Sequence, residues 1–143
     1  VQLRILAIGR CRDPAVRDLT SDYLRRTSFP VDLVELTPKG PEGDAMLAAL
    51  PAQGPVVALD ERGRDLTSPE LADRLRLWRD DGERLATFLI GGADGLDARL
   101  LARADLRLAF GRATWPHMLV RVMLAEQLYR VGTILSGHPY HRA

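Results

Sequence analysis

The chain has 143 residues, 46% hydrophobic and 27% charged, with a formal net charge of +1. That length supports one domain around one core, and the near balance of charge excludes a protein that grips nucleic acid by overall charge alone. One cysteine, Cys11, excludes an internal disulfide framework and a thiolate metal cage, and with no run of ~20 apolar residues and no signal-peptide order of regions, a cytoplasmic protein is expected.

Leu3 to Ile8 is an apolar run interrupted by Arg4 and ended by Gly9, which predicts a first strand. Asp13-Pro14 supplies a capping residue and a first-turn proline, and Val16, Leu19, Tyr23 and Leu24 recur at helical spacing. Val31 to Leu36 alternates as a second strand, and Thr37 to Gly43, holding Lys39, reads as a loop. Asp44 to Leu50 makes a short helix at best. Pro55 to Leu59 is almost continuously apolar, as a parallel strand covered on both faces would be. Asp60 to Arg64 then reads as a charged turn, and Ser68-Pro69-Glu70 opens a helix with Leu71, Leu75 and Trp78 as its inner stripe. Leu85 to Ile90 is a fourth strand, Leu96 to Ala104 a helix and Leu106 to Phe110 a fifth strand. Strands alternating with helices predict an α/β domain, a parallel sheet flanked by helices.

In open parallel sheets ligands bind beyond the carboxyl ends of the strands. Leu59-Asp60, Gly91-Gly92 and Gly111 to Pro116 occupy such ends, and glycine there lets a flat ligand reach main-chain groups. Gly91-Gly92-Ala93-Asp94-Gly95 has the wrong spacing and place for a dinucleotide fingerprint, and no phosphate-loop motif occurs. It reads equally well as a plain strand-to-helix turn.

All three histidines lie in the last stretch, at 117, 138 and 141. The helix after Pro116 is apolar around most of its girth, which fits either a core helix or one shared between subunits, and a homodimer is the expectation. His138, Tyr140, His141 and Arg142 offer general-base, hydrogen-bonding, stacking and phosphate-binding groups, against the alternative of a polar tail without function. Pro139 opposes a helical metal pair between His138 and His141, so no metal is expected.

Phe88 to Gly95, Thr114-Trp115-Pro116-His117, Leu119-Val120-Arg121-Val122, Ala125 to Arg130 and His138-Pro139-Tyr140-His141-Arg142 together resemble the bacterial large-subunit ribosomal RNA pseudouridine N3-methyltransferases, minimal SPOUT methyltransferases. Leu24-Arg25-Arg26 and Leu59-Asp60 agree, while Pro38 to Gln53 is compressed and Gly111-Arg112 departs from the pattern. The resemblance implies an α/β domain with a C-terminal trefoil knot, and a homodimer. It implies S-adenosylmethionine bound around Leu59, Gly92, Gly111, Arg112, Ala113, Thr114, Trp115 and Pro116. It further implies methylation at N3 of a pseudouridine in helix 69 of 23S rRNA on the assembled ribosome, with His138, Tyr140, His141 and Arg142 at the substrate. Beside the resemblance stand two rival readings, a non-catalytic ribosome-binding module that keeps the fold and a histidine-metal hydrolase, to be separated by cofactor binding and metal analysis.

Overall fold

A computed structural model of the chain describes residues 1–141. Five strands, β1 (Gln2–Ile8), β2 (Val31–Leu36), β3 (Val56–Asp65), β4 (Leu85–Ile90) and β5 (Leu106–Ala109), form one parallel sheet in the order β2-β1-β4-β3-β5. Between and after them run α1 (Pro14–Arg26), α2 (Glu42–Ala49), α3 (Ser68–Asp80), α4 (Ala98–Arg103), α5 (His117–Ser136) and a single 3₁₀ turn (Pro139–His141). The expected parallel α/β architecture is the one formed.

Alternation along the strands divides the core in two. Leu3, Ile5 and Ala7 of β1 share one face with Phe88 and Ile90 of β4, packing under Leu71 and Leu75 of α3 and Leu124, Leu128 and Val131 of α5. Leu6, Ile8, Val56 and Leu89 point to the other face, where Met46 of α2 and Leu100 of α4 cover them. Helices on both faces explain why Val56, Val57 and Ala58 are all buried.

Four sequence expectations change. Asp60 to Arg64 does not end β3, because Leu59 and Arg64 both stand opposite Leu108 and the intervening residues loop out as a bulge. The strand can resume because Leu108 and Ala109 still offer backbone partners, and a Cβ on Gly63 would lie 2.6 Å from the Arg107 carbonyl oxygen. Helix α2 begins at Glu42, inside the expected loop, with Glu42 and Asp44 at the positive end of its dipole. The cap of α3 is Thr67, one residue earlier than read, in a reciprocal capping box with Glu70. Leu19, placed by its spacing on the inner stripe of α1, is 46% exposed, and the buried residue of that helix is Thr20, whose hydroxyl donates to the Val16 carbonyl.

The largest fully buried side chain among the described residues is charged. Arg121 of α5 is 1% exposed, pairs with Glu35 of β2, and donates through Nη2 to the carbonyls of Ile8 (3.1 Å) and Gly9 (2.7 Å) at the end of β1. The Glu35 carboxylate also accepts the Cys11 amide at 2.8 Å. Burial pushes this carboxyl up, but the Cys11 amide and the Arg121 guanidinium outweigh it and hold it below its ordinary value.

Replacing Arg121 by Met is expected to destabilise the fold by about 3 kcal/mol in urea unfolding, because two carbonyls and a carboxylate lose a buried partner together. Glu35→Gln is expected to cost about 1 kcal/mol near neutrality. Because the folded Glu35 value is depressed, its contribution is complete above the unfolded value of about 4.5 and is lost as pH falls through the lower folded value. The gap between wild type and Glu35→Gln should therefore close under acid, and a constant gap would contradict the pairing.

Candidate active site

The β3 bulge and the carboxyl ends of β4 and β5 meet at one cavity of about 270 Å³, near the lower limit of small-ligand sites at roughly 300 Å³. Leu59, Ile90, Leu108 and Val120 supply apolar wall, while Gly91, Gly92, Gly95 and Gly111 bring backbone to the surface. A Cβ on Gly91 would lie 2.6 Å from the Gly95 carbonyl carbon and oxygen, and Gly95 and Gly111 have φ of +78° and +88°. The glycines are thus required by the turns themselves.

The loop from Gly111 to Pro116 is fixed to the β3 bulge. The Gly111 amide donates to Asp65 (3.1 Å), the Thr114 hydroxyl donates to Glu61 (2.6 Å), and the Trp115 indole N–H donates to the Phe110 carbonyl (3.0 Å). Asp60, Glu61 and Asp94 put carboxylates on the rim. Apolar walls, accessible main-chain groups and nearby carboxylates suit a flat, partly apolar ligand that carries hydroxyl groups and positive charge. Such a donor set fits an adenosine-type sulfonium.

Of the eight residues expected at the cofactor, Leu59, Gly92, Gly111, Ala113, Thr114 and Trp115 line this cavity. Arg112 instead faces a separate depression with Arg62 and Asp65, and Pro116 is the residue from which α5 starts. His117, the first residue of α5, lines the cavity and is half-buried. Its place follows from the helix start, a signal available in the sequence.

The tail lies elsewhere. Gly137, with φ of +76°, ends α5 in a Schellman pattern in which the His138 amide donates to the Thr133 carbonyl at 2.9 Å. The Tyr140 amide donates to Nδ1 of His138 (3.2 Å), and the Tyr140 hydroxyl donates to Glu126 (3.1 Å). Its ring meets Tyr129 edge-on at 4.5 Å, with the Arg130 guanidinium 5.0 Å from its centroid. Burial, then the Tyr23 hydroxyl and the charge of Glu126, push the Tyr140 phenol up to about 12. At neutral pH it is a hydrogen-bond donor. His141 is half-buried, and its buried Nδ1 has no partner among the described residues. Arg142 lies outside the described residues.

None of His138, Tyr140 and His141 lines the cavity. Nine residues of helix separate His117, at the cavity, from Glu126, under the tail, which is about 13 Å along the axis. One subunit therefore carries the two halves of the expected site at separate stations on one helix. Two residues that organise them, Arg121 and Glu126, stand in the motifs quoted from the sequence, but no role is assigned to either there. Their signals were a charge inside an apolar helical stripe and an i, i+4 pairing with Arg130.

The family model described as "Predicted SPOUT methyltransferase" matches residues 1–141. The chain is 50% identical to the ribosomal RNA large subunit methyltransferase H of Paramagnetospirillum magneticum and 54% identical to that of Cereibacter sphaeroides, each alignment covering 99% of both chains. Among solved structures, a probable methylase family protein from Haemophilus influenzae superposes with a TM-score of 0.62 at 11% identity, covering 96% of this chain and 69% of that one, a likeness of fold. With a glycine-built cavity at the carboxyl ends of a parallel sheet and a match along 1–141, the chain belongs to the SPOUT methyltransferase family.

Proposed function

We propose that the protein is an S-adenosylmethionine-dependent methyltransferase that modifies N3 of a pseudouridine in helix 69 of 23S rRNA on the assembled ribosome. The observation that carries this reading is the glycine-built cavity beyond β3, β4 and β5, in a chain about half identical to ribosomal RNA large subunit methyltransferases. S-adenosylmethionine, when bound, supplies a methyl group activated on a sulfonium. Leu59, Gly92 and the loop Gly111 to Pro116 hold the adenosine half, with Arg112 and Pro116 shaping the loop from outside the cavity. Threading of the C-terminal segment as a trefoil knot belongs to the same reading.

The protein works as a homodimer. Support comes from exposed apolar side chains, Trp115 (44% exposed) at the cavity and Leu119 (41% exposed) on the first turn of α5, and from an apolar depression lined by Leu19, Phe110, Val122 and Met123, of which Phe110 also lines the cavity. A two-fold contact on that surface brings one subunit's tail toward the other's cavity, which resolves the separation along α5. There His138, Tyr140, His141 and Arg142 orient the pseudouridine and help remove its N3 proton, Tyr140 as a neutral donor and the histidines as acceptors. Two subunits also present a surface wide enough to read a folded ribosomal RNA by shape.

Four outcomes test the proposal. Calorimetry should detect S-adenosylmethionine binding that Gly111→Val weakens about tenfold, since a β-branched residue at positive φ is strained. Mass spectrometry of rRNA should find one new methyl on a pseudouridine after incubation with ribosomes and little on naked 23S rRNA; equal rates on both would sink the ribosome requirement. Sedimentation should show a dimer that Leu119→Glu converts to monomer. Mixing Gly111→Val with His141→Ala subunits should then restore methyl transfer through heterodimers, and no restoration would contradict a site shared between subunits.

A further inference from the structure

The tail is held at one point by a prepared carboxylate. Glu126 Oε1 accepts Nε and Nη2 of Arg130, at 2.8 and 2.7 Å, and the Tyr140 hydroxyl at 3.1 Å. Its Oε2 accepts the Gln127 amide at 3.1 Å, and the Gln127 carbonyl accepts the Ser68 hydroxyl of α3 at 2.6 Å. Glu126 is thus oriented by α3 and by the next turn of α5 before Tyr140 meets it. Arg130 holds both partners, bonding the carboxylate while its guanidinium lies against the Tyr140 ring.

The ring is also walled by Tyr129, on which Arg26 of α1 stacks at 4.6 Å, so the tail is docked against α1 and α5 together. Arg130 and Glu126 are about one-fifth exposed, which makes their pair stronger than the exposed ion pairs elsewhere on the surface.

We propose that Glu126 is a positioning residue: with Arg130 it forms a clamp that fixes the Tyr140 hydroxyl and thereby sets where His138 and His141 stand, without touching the methyl donor. This rests on the reading of the tail as the substrate-facing segment. Two links support the geometry. The Tyr140 amide bond to His138 Nδ1 transmits a fixed Tyr140 to the histidine ring, and the charge of Glu126 is among the groups that raise the Tyr140 phenol.

The test compares Glu126→Ala, Glu126→Gln and Tyr140→Phe in the full-length protein. Alanine suits a helix interior, and Tyr140→Phe keeps the ring, so folding is preserved in at least one of them. In Glu126→Ala and Tyr140→Phe, hydrogen exchange at the amides of His138 to His141 should accelerate about tenfold. In Glu126→Ala the Tyr140 phenol, followed by NMR, should titrate lower than in wild type, while calorimetry with S-adenosylmethionine gives an unchanged affinity. The kcat for methyl transfer to ribosomes should fall about tenfold with little change in KM, and Glu126→Gln should recover part of it. Unchanged exchange in both Glu126→Ala and Tyr140→Phe overturns the clamp. Accelerated exchange with methyl transfer intact overturns the substrate-tail reading and the positioning role with it. Lost S-adenosylmethionine affinity in Glu126→Ala overturns the separation of the clamp from the donor half.

Discussion

A buried guanidinium sets where the last helix can lie. Arg121 cannot leave water without partners, and those available are the two carbonyls that end β1 and the carboxylate of Glu35 beside them on β2. Satisfying all three fixes both the rotation and the axial position of α5 over the sheet. The inner stripe of Leu124, Leu128 and Val131 then packs on β1 and β4, and the preceding residues, Val120 and His117, fall at the cavity wall. The apolar contacts supply the bulk of the stabilisation, being many and non-directional. The charged one supplies the register that they lack.

With α5 fixed, the remaining functional geometry follows from two local departures from regular structure. The β3 bulge keeps Glu61 and Asp65 close enough to hold Thr114 and Gly111, so an otherwise exposed loop is tied to a strand of the sheet. At the other end of the helix the Schellman turn at Gly137 folds the chain back toward Glu126. A strand irregularity thus shapes the cavity and a helix ending shapes the tail.

The strand pattern was legible because burial on both faces leaves unambiguous apolar runs, as in Val56 to Ala58 and Phe88 to Ile90. Glycines beyond β4 and β5 marked the cavity for the same reason they are needed, since no side chain fits the turn at Gly91. Asp60 to Arg64 misled because charge and glycine signal a turn locally, whereas the return to pairing at Arg64 depends on β5, more than forty residues later in the chain. Leu19 misled because helical spacing identifies an apolar stripe without saying whether the rest of the chain covers it. Arg121 stayed hidden because an arginine within an apolar stripe is ordinarily a surface residue, and only the convergence of β1 and β2 carbonyl and carboxylate groups makes it internal. The tail's residue types were visible, but not that Tyr140 is anchored by a carboxylate fourteen positions back.

The link from Arg121 to the end of β1 spans 113 residues, and this has a consequence for biosynthesis. Loop closure over such a span is entropically expensive, about 4 kcal/mol for a flexible chain before any contact is repaid. The nascent chain exposes β1, β2 and β4 before α5 has been made, leaving Leu3, Ile5 and Phe88 without the cover that Leu124, Leu128 and Val131 supply. Residues 1–116, about four-fifths of the sequence, must therefore wait, partly open, for α5. The helix that finishes this face of the core is also the one whose first turn lines the cavity.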